Sequence, residues 1–257
     1  MPSSWTLWLD LEGRPGFRNM AIDQALLVRA AERGERWLRL YRWAPHCLSF
    51  GRHEPAIRRY DRERAEELGL DTVRRPTGGR AVWHSDELTY AVALPAEGLG
   101  GVRAVCAEIH GMLREGLRRL GVAAEAAEAA PALRPGAGAC FAAPAGGELM
   151  LGGRKVVGSA QLRERGALLQ HGTILLSGDQ RTVAEVTRGA PPADLAGGLA
   201  LALGHRPDPA AVAEAVAAAA AARWPGRWRT AAGDDGPVDD AAPLEPRFRS
   251  SAWTWGH

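Results

Sequence analysis

Apolar and polar positions alternate with period two over "WTLWLDLE" (5–12) and "RWLRLYRW" (36–43), which predicts two half-buried strands. Between them "NMAIDQALLVRAAERG" runs at helical spacing, so that Met20, Ala21, Gln24, Leu27 and Val28 share one face. Asn19 is expected to cap this helix, because its side chain accepts a free backbone N–H, and Gly34 to stop it. "CLSFG" continues as a strand beyond Pro45, and "YDRERAEELGL" reads as a short polar helix ending near Gly69. "DTVRR" leads into "PTGGRAVWH" and "LTYAVALP", expected as strands around a glycine turn. The clearest amphipathic helix is "GVRAVCAEIHGMLREGLRRLG", closed by Gly121.

From 122 to 147 Ala, Gly and Pro dominate, which predicts loop. "GELMLGG", "RKVVGSAQLR" and "GALLQHGTILLS" are successive strands, the first two joined by a Gly152–Gly153 hairpin turn. Helices follow near 181–188 and at "DPAAVAEAVAAAAAARW". The tail, 230–257, reads as irregular, with Trp253 and Trp255 docking it. Hairpins with interspersed helices predict an α+β fold, a mixed and largely antiparallel sheet with flanking helices. The expected organisation is a catalytic core over 1–177, with 178–257 a helical extension and irregular tail packed on the same domain.

The chain has 257 residues, 46% hydrophobic and 24% charged, enough for one full core. A net charge of +2 argues against non-specific nucleic-acid binding. No apolar run is long enough for a membrane span, and the N-terminus lacks a basic start followed by an apolar core. A cytoplasmic protein without membrane attachment is expected. Cysteines at 47, 106 and 140 are few, odd in number and without a CxxC pair, so neither a disulfide framework nor a metal site is indicated. Cys47 and Cys106 sit in apolar periodic runs as small buried hydrophobes. Cys140 lies in "RPGAGACFAAPAGG", where a thiol on a glycine-rich loop is a nucleophile candidate.

Lys155 is the one lysine among 32 Lys plus Arg. Nucleotide bias alone would explain its rarity. Its position beside the Cys140 segment favours a chemical reason: an ammonium can sit close to a thiolate and exchange its proton, whereas a guanidinium stays planar and charged.

Three segments depart from ordinary core patterning. In "RRPTGGRAVWH" (74–84) adjacent glycines allow close backbone approach to a ligand, with Arg75 and His84 as polar contacts. By itself this is more simply a hairpin, and it is neither a Walker loop nor a GxGxxG fingerprint. "GGRKVVGSAQ" (152–161) carries Lys155 into a Gly-Ser-Ala turn. In "LLQHGTILL" (168–176) a Gln-His-Gly triplet interrupts an apolar strand. For His171 alone a backbone-bonded core histidine is the simpler reading, but glycine beside it points to close ligand approach.

As a set, "PTGGRAVWHSDELTYAV", "ACF", "GRKVVGSAQ" and "LQHGT" resemble the lipoate–biotin protein ligase and lipoyl/octanoyl transferase superfamily, most of all its cysteine-dependent octanoyltransferases. The resemblance runs from about 17 to 176. It implies a lipoate/biotin protein ligase type of catalytic domain, working as a monomer without a cofactor. Such an enzyme moves octanoyl from acyl carrier protein, through a thioester on Cys140 assisted by Lys155, to the lysine of a lipoyl domain such as glycine-cleavage H protein. The matched positions imply substrate contacts from Arg75, Thr77, Gly78, Gly79, Ala81, Val82, His84, Val157, Gly158, Ser159, Ala160, Gln161, His171 and Gly172. Val82, Val156, Val157 and Leu169 are candidates for an apolar acyl groove. Two departures stand out: Arg80 replaces the third glycine of the ligase branch, and "PAGGEL" (144–149) lacks an expected Ser and Tyr. The alternatives are an ATP-dependent lipoate–protein ligase, an amidotransferase between carrier proteins, and a non-catalytic lipoyl-binding module. A repressor would need an N-terminal helix-turn-helix, where this chain opens on a strand.

Overall fold

The computed structural model describes residues 4–127, 148–189, 196–232 and 235–256. β1 (Ser4–Arg14) is followed by α1 (Gly16–Arg33) and β2 (Arg36–Trp43). Next come β3 (Cys47–Phe50), α2 (Ala56–Arg59), α3 (Arg62–Glu67), β4 (Asp71–Arg74), β5 (Val82–His84) and β6 (Glu87–Pro95). α4 (Val102–Arg119) precedes β7 (Glu125–Ala126), β8 (Leu149–Leu151), β9 (Arg154–Glu164) and β10 (Ala167–Leu175). Beyond lie α5 (Arg181–Glu185), α6 (Ala200–Leu203), α7 (Pro209–Arg223), β11 (Arg227–Ala231), α8 (Val238–Ala241), α9 (Glu245–Arg249) and α10 (Ser251–Trp255).

Eight strands form one sheet in the order β11-β1-β2-β6-β10-β9-β8-β7. Its first three strands run parallel and every later pairing is antiparallel, the mixed sheet that the sequence predicts. Alternation along the strands sorts the side chains by face. Leu38, Leu40, Leu88, Tyr90 and Val92 share a core with Ile109, Met112 and Leu113 of α4 and with Val212 and Val216 of α7. Trp37, Tyr41, Trp43, Ala91, Ala93 and Leu169 pack instead against Met20, Ile22, Leu26 and Leu27 of α1.

Three expectations are corrected. First, the glycine segment is not a hairpin turn. β4 and β5 flank β3 from opposite edges of a three-stranded sheet, parallel and antiparallel to it, so residues 75–81 cross between those edges. Second, Asn19 does not cap α1, which begins at Gly16 behind Pro15. Its buried amide donates instead to the carbonyls of Arg14 and Arg42, each at 3.1 Å. Third, the tail is not irregular. It carries the end of edge strand β11 and, among its described residues, three short α-helices and one 3-10 turn, each too short to show a period. Trp253 Nε1 donates to the Arg74 carbonyl, Arg74 Nε donates back to the Trp253 carbonyl, and Trp255 packs edge-on to Phe50.

A fully buried cation holds α1 onto the sheet. Arg39 on β2 donates to Asp10 of β1 at 2.6 Å and to Asp23 of α1 at 3.0 Å. It also donates to Asn19 Oδ1 at 2.7 Å and lies over the Tyr41 ring, 3.9 Å from its centroid. Removing one partner of a buried pair leaves an uncompensated charge in a medium that solvates it poorly. Arg39→Leu strands two carboxylates at once, and we expect it to lower unfolding stability by about 3–5 kcal/mol, measured from the urea transition at pH 7.

Candidate functional site

A narrow, partly open cleft lies where the small sheet covers the main one. The main sheet contributes Tyr41, Trp43, Thr89, Gly158, Ser159, Ala160, His171, Gly172 and Thr173, and the other side contributes Arg75, Val82 and His84. Register explains the shape. Tyr41 pairs with Thr89, Thr89 with Thr173, and Thr173 with Gly158, so these residues form one row across four strands. Strand spacing of about 4.8 Å makes this row roughly 14 Å long.

Glycine is required where the strands pinch. A Cβ on Gly172 would lie 2.3 Å from the Gly158 carbonyl and 2.8 Å from the Tyr90 ring. The two glycines of the 74–84 segment behave differently from expectation. Gly79 adopts φ +87° and lays its carbonyl on Gly51, where any Cβ would meet that oxygen at 1.9 Å. The close approach is therefore made to Gly51, within the protein.

Two histidines bracket the row, each between an acid and a hydroxyl. His171 Nδ1 faces Asp23 Oδ2 at 2.7 Å and its Nε2 meets Thr77 Oγ1 at 2.6 Å. Tyr41 OH donates to the same Asp23 oxygen at 2.8 Å. His84 Nδ1 faces Glu87 Oε1 at 3.0 Å, and its Nε2 meets Ser49 Oγ at 2.6 Å. Arg75 donates to that hydroxyl oxygen and to the carbonyls of Gly78 and Arg80, holding the glycine segment in place. Burial pushes the His84 imidazolium below the ordinary histidine range, against the pull of Glu87. The neutral ring donates from Nδ1 and accepts the Ser49 proton at Nε2, and it stacks on Trp43 with centroids 3.9 Å apart.

Lys155 is buried on β9, with its Nζ 2.5 Å from Glu148 Oε1. The β8–β9 register shifts between Leu149 and Met150, and Val156 and Val157 both enter the α4-side core. That extra residue brings Lys155 into phase with Gly158 and Ala160, which line the cleft.

Of the residues expected from sequence, the cleft gathers Arg75, Val82, His84, Gly158, Ser159, Ala160, His171 and Gly172. Thr77 reaches it through His171, and Gly78 and Gly79 form the segment that Arg75 holds. Four groove or contact candidates belong elsewhere: Val156 and Val157 to the α4-side core, Leu169 to the α1-side core, and Ala81 to the core beneath the small sheet. The Ser159 hydroxyl meets Tyr90 OH at 2.7 Å and His110 Nε2 at 2.8 Å, both among residues of the α4 side. Gln161 donates to Gln170. Cys140 lies outside the described residues. Sequence reasoning missed Tyr41, Trp43, Thr89 and Thr173, whose spacing reads as ordinary strand, and the acids Asp23, Glu87 and Glu148. A Glu placed seven residues before the sole lysine is the one signal that could have been found.

The mixed eight-stranded sheet, its flanking helices and the small three-stranded sheet form a lipoate-protein-ligase type of fold. A solved lipoate-protein ligase A bound with ATP superposes with TM-score 0.79 at 19% identity, covering 100% of this chain and 99% of that one. A bi-partite lipoate protein ligase from Thermoplasma acidophilum, solved with its E2 lipoyl domain, gives 0.78 at 18%, covering 99% and 97%. At such identities the likeness is one of fold. Residues 15–218 match the lipoyl protein ligase A/B catalytic domain, and the chain belongs to that family. Octanoyltransferase LipM of Exiguobacterium sibiricum is 45% identical over 174 residues, 63% of this chain and 62% of that protein. The Moorella thermoacetica octanoyltransferase LipM is 40% identical over 183 residues, 69% of this chain and 67% of that one. The chain thus spans somewhat under two thirds of the first relative's length.

Because the folded His84 titrates below its unfolded value of 6.5, the unfolded chain binds the proton first. Its contribution to stability is whole above that pH and is lost as pH falls below it. Urea midpoints measured from pH 7.5 to 5 should fall on the acid side, and His84→Gln should flatten that fall.

Proposed function

We propose that this protein transfers octanoyl groups in lipoate assembly: from a carrier thioester, through a thioester on Cys140, to the lysine amine of a lipoyl domain. One observation carries the reading. The cleft is closed at its β2 end by buried rings and is partly open at its β9 end, on the same strand that carries the buried Lys155. The 40–45% identity to proteins named octanoyltransferase supports the choice of acyl group.

In the first half-reaction the Cys140 thiolate attacks the thioester carbonyl; a C–S bond forms, the carrier's C–S bond breaks, and the carrier leaves as a thiolate that takes up a proton. In the second, the lysine amine attacks the acyl-enzyme, a C–N bond forms, Cys140 is released as thiolate, and the amine gives up its proton. Exchange between thioesters is nearly balanced, and amide formation drives the cycle forward. Lys155 would hold the thiolate with its ammonium, and Glu148 fixes that ammonium in place. Arg75 and Thr77 on the crossing segment, and His171 on β10, would bind and orient the acyl group. The other two cysteines are poor competitors, since burial pushes the thiols of Cys47 and Cys106 up. The natural carriers are acyl carrier protein as donor and glycine-cleavage H protein as acceptor, acting on a monomer in the cytoplasm.

The test is intact mass after incubation with octanoyl-acyl carrier protein and no ATP. We expect one hydroxylamine-labile octanoyl group, mapped to Cys140 and absent from Cys140→Ala. Acylation that requires free octanoate and ATP would overturn the transferase in favour of a ligase. Loading from octanoyl-H protein but not from acyl carrier protein would identify an amidotransferase.

A further inference from the structure

A second cleft opens on the surface between the C-terminal halves of α4 and α7. The two helices touch where Gly116 meets Val216, at a spacing so close that a Cβ on Gly116 would lie 2.9 Å from the Val216 backbone. Alongside that contact α7 offers only the small side chains of Ala219 and Ala222, so the space stays open. Buried Val122 and Ala124 form its floor, and its rim is arginine: Arg114, Arg118 and Arg119 from α4, and Arg223 from α7. All four arginines are exposed, and Glu115 is the one carboxylate in the lining. Glu115 holds Arg118 at 2.9 Å, and Glu108, outside the lining, holds Arg223 at 2.7 Å. A cation near a helix C-terminus complements the helix dipole, which accounts for each arginine singly. It does not account for four guanidinium groups converging on one concave surface around a single carboxylate. Like charges gathered there repel one another, and a polyanionic surface relieves that repulsion.

We propose that this arginine-rimmed cleft docks the acyl-donor carrier protein, which meets it through a carboxylate-rich face. The inference rests on the acyl-transfer reading and adds to it the donor's landing site. Distance selects the donor over the acceptor. Glu125 pairs with Met150 and Met150 with Lys155, so the near edge of the cleft, at Ala124, lies two strand spacings from Lys155, about 10 Å. The helix gives the same scale. Burial and the charge of Glu148, the carboxylate that holds Lys155, push the Cys106 thiol up, which places Glu148 near that turn of α4. At 1.5 Å per residue, Arg114 and Arg118 lie about 12 and 18 Å further along the helix. A carrier delivers its thioester on a phosphopantetheine arm of about 14 bonds, which extends to about 17 Å. An acceptor lysine reaches only about 6 Å beyond its own backbone, so a lipoyl domain must sit at the mouth of the catalytic cleft itself. A body docked on the arginines reaches Lys155 with an arm and not with a side chain.

The experiment compares two donors of the same acyl group. Octanoyl-acyl carrier protein and octanoyl-pantetheine, which has no protein face, are each given to wild type, and intact mass follows the rate of acyl-enzyme formation. The variants are Arg114→Glu/Arg118→Glu, the charge-keeping Arg114→Lys/Arg118→Lys, and Arg58→Glu, a reversal on exposed α2 that controls for net charge. Circular dichroism confirms the fold of each. The double reversal should raise KM for the carrier by about 10-fold or more and leave loading from octanoyl-pantetheine unchanged. The lysine pair should keep most of the carrier rate, and Arg58→Glu should match wild type with both donors. Added salt should slow wild type with the carrier and not with pantetheine, a readout that needs no variant. Carrier loading that ignores both salt and charge reversal overturns the docking surface and leaves the acyl-transfer reading intact. So does a double reversal that slows both donors equally. A reversal that spares loading but slows discharge to a lipoyl domain assigns the cleft to the acceptor and also overturns the proposal. A wild type that takes octanoyl from neither donor overturns both the docking surface and the acyl-transfer reading.

Discussion

The ion pairs of Arg39 with Asp10 and Asp23 are the constraint on which the site depends. The three side chains come from β2, β1 and α1, and all are buried. A charge without solvent is tolerated only where its partners are fixed, so these elements have one relative placement. Asp23 then has a second oxygen to offer, and Tyr41 and His171 both use it. His171 passes the constraint to Thr77 in the glycine segment. The buried salt bridge and the glycine segment are thereby joined through Asp23, His171 and Thr77.

The second acid–imidazole–hydroxyl chain, Glu87–His84–Ser49, does for the small sheet what the first does for α1. It also fixes the charge state: burial keeps His84 neutral, and a neutral ring can accept the Ser49 proton while its face packs flat on Trp43. The cleft between the two chains has few ways to relax. Glycine at 51 and 172 completes it, since backbone or ring atoms occupy the space that a side chain would need.

Much of the fold was legible because it is periodic. Alternation located β1, β2, β6, β9 and β10, the 3.6-residue repeat located α1, α4 and α7, and Gly152–Gly153 marked the β8–β9 turn. What stayed hidden depends on long-range pairing. Nothing local in "CLSF" says that β3 will separate β4 from β5, and five residues of β11 carry no period against an Ala- and Arg-rich background. Asn19 was misread because a capping residue and a buried bracket look alike until the neighbouring strand is placed. Among site residues, the glycines and histidines were visible as breaks in apolar runs. Val157 and Leu169 were misassigned because the bulge at Val156 and the facing of β10 decide which side they bury. Asp23 and Glu87 sat unnoticed in amphipathic segments, where an acid is the expected polar position.

The central claim is that the acyl group lies along the Gly158–Thr173–Thr89–Tyr41 row, and direct observation tests it best. A crystal structure with a non-transferable octanoyl-carrier analogue, its thioester sulfur replaced by methylene, would place the chain. The account predicts continuous density entering beside Gly158 and Ala160, passing beneath Val82 and ending at the buried rings of β2. Density elsewhere, above all in the apolar groove among Trp5, Leu99 and Trp224 on the α4 side, would contradict it.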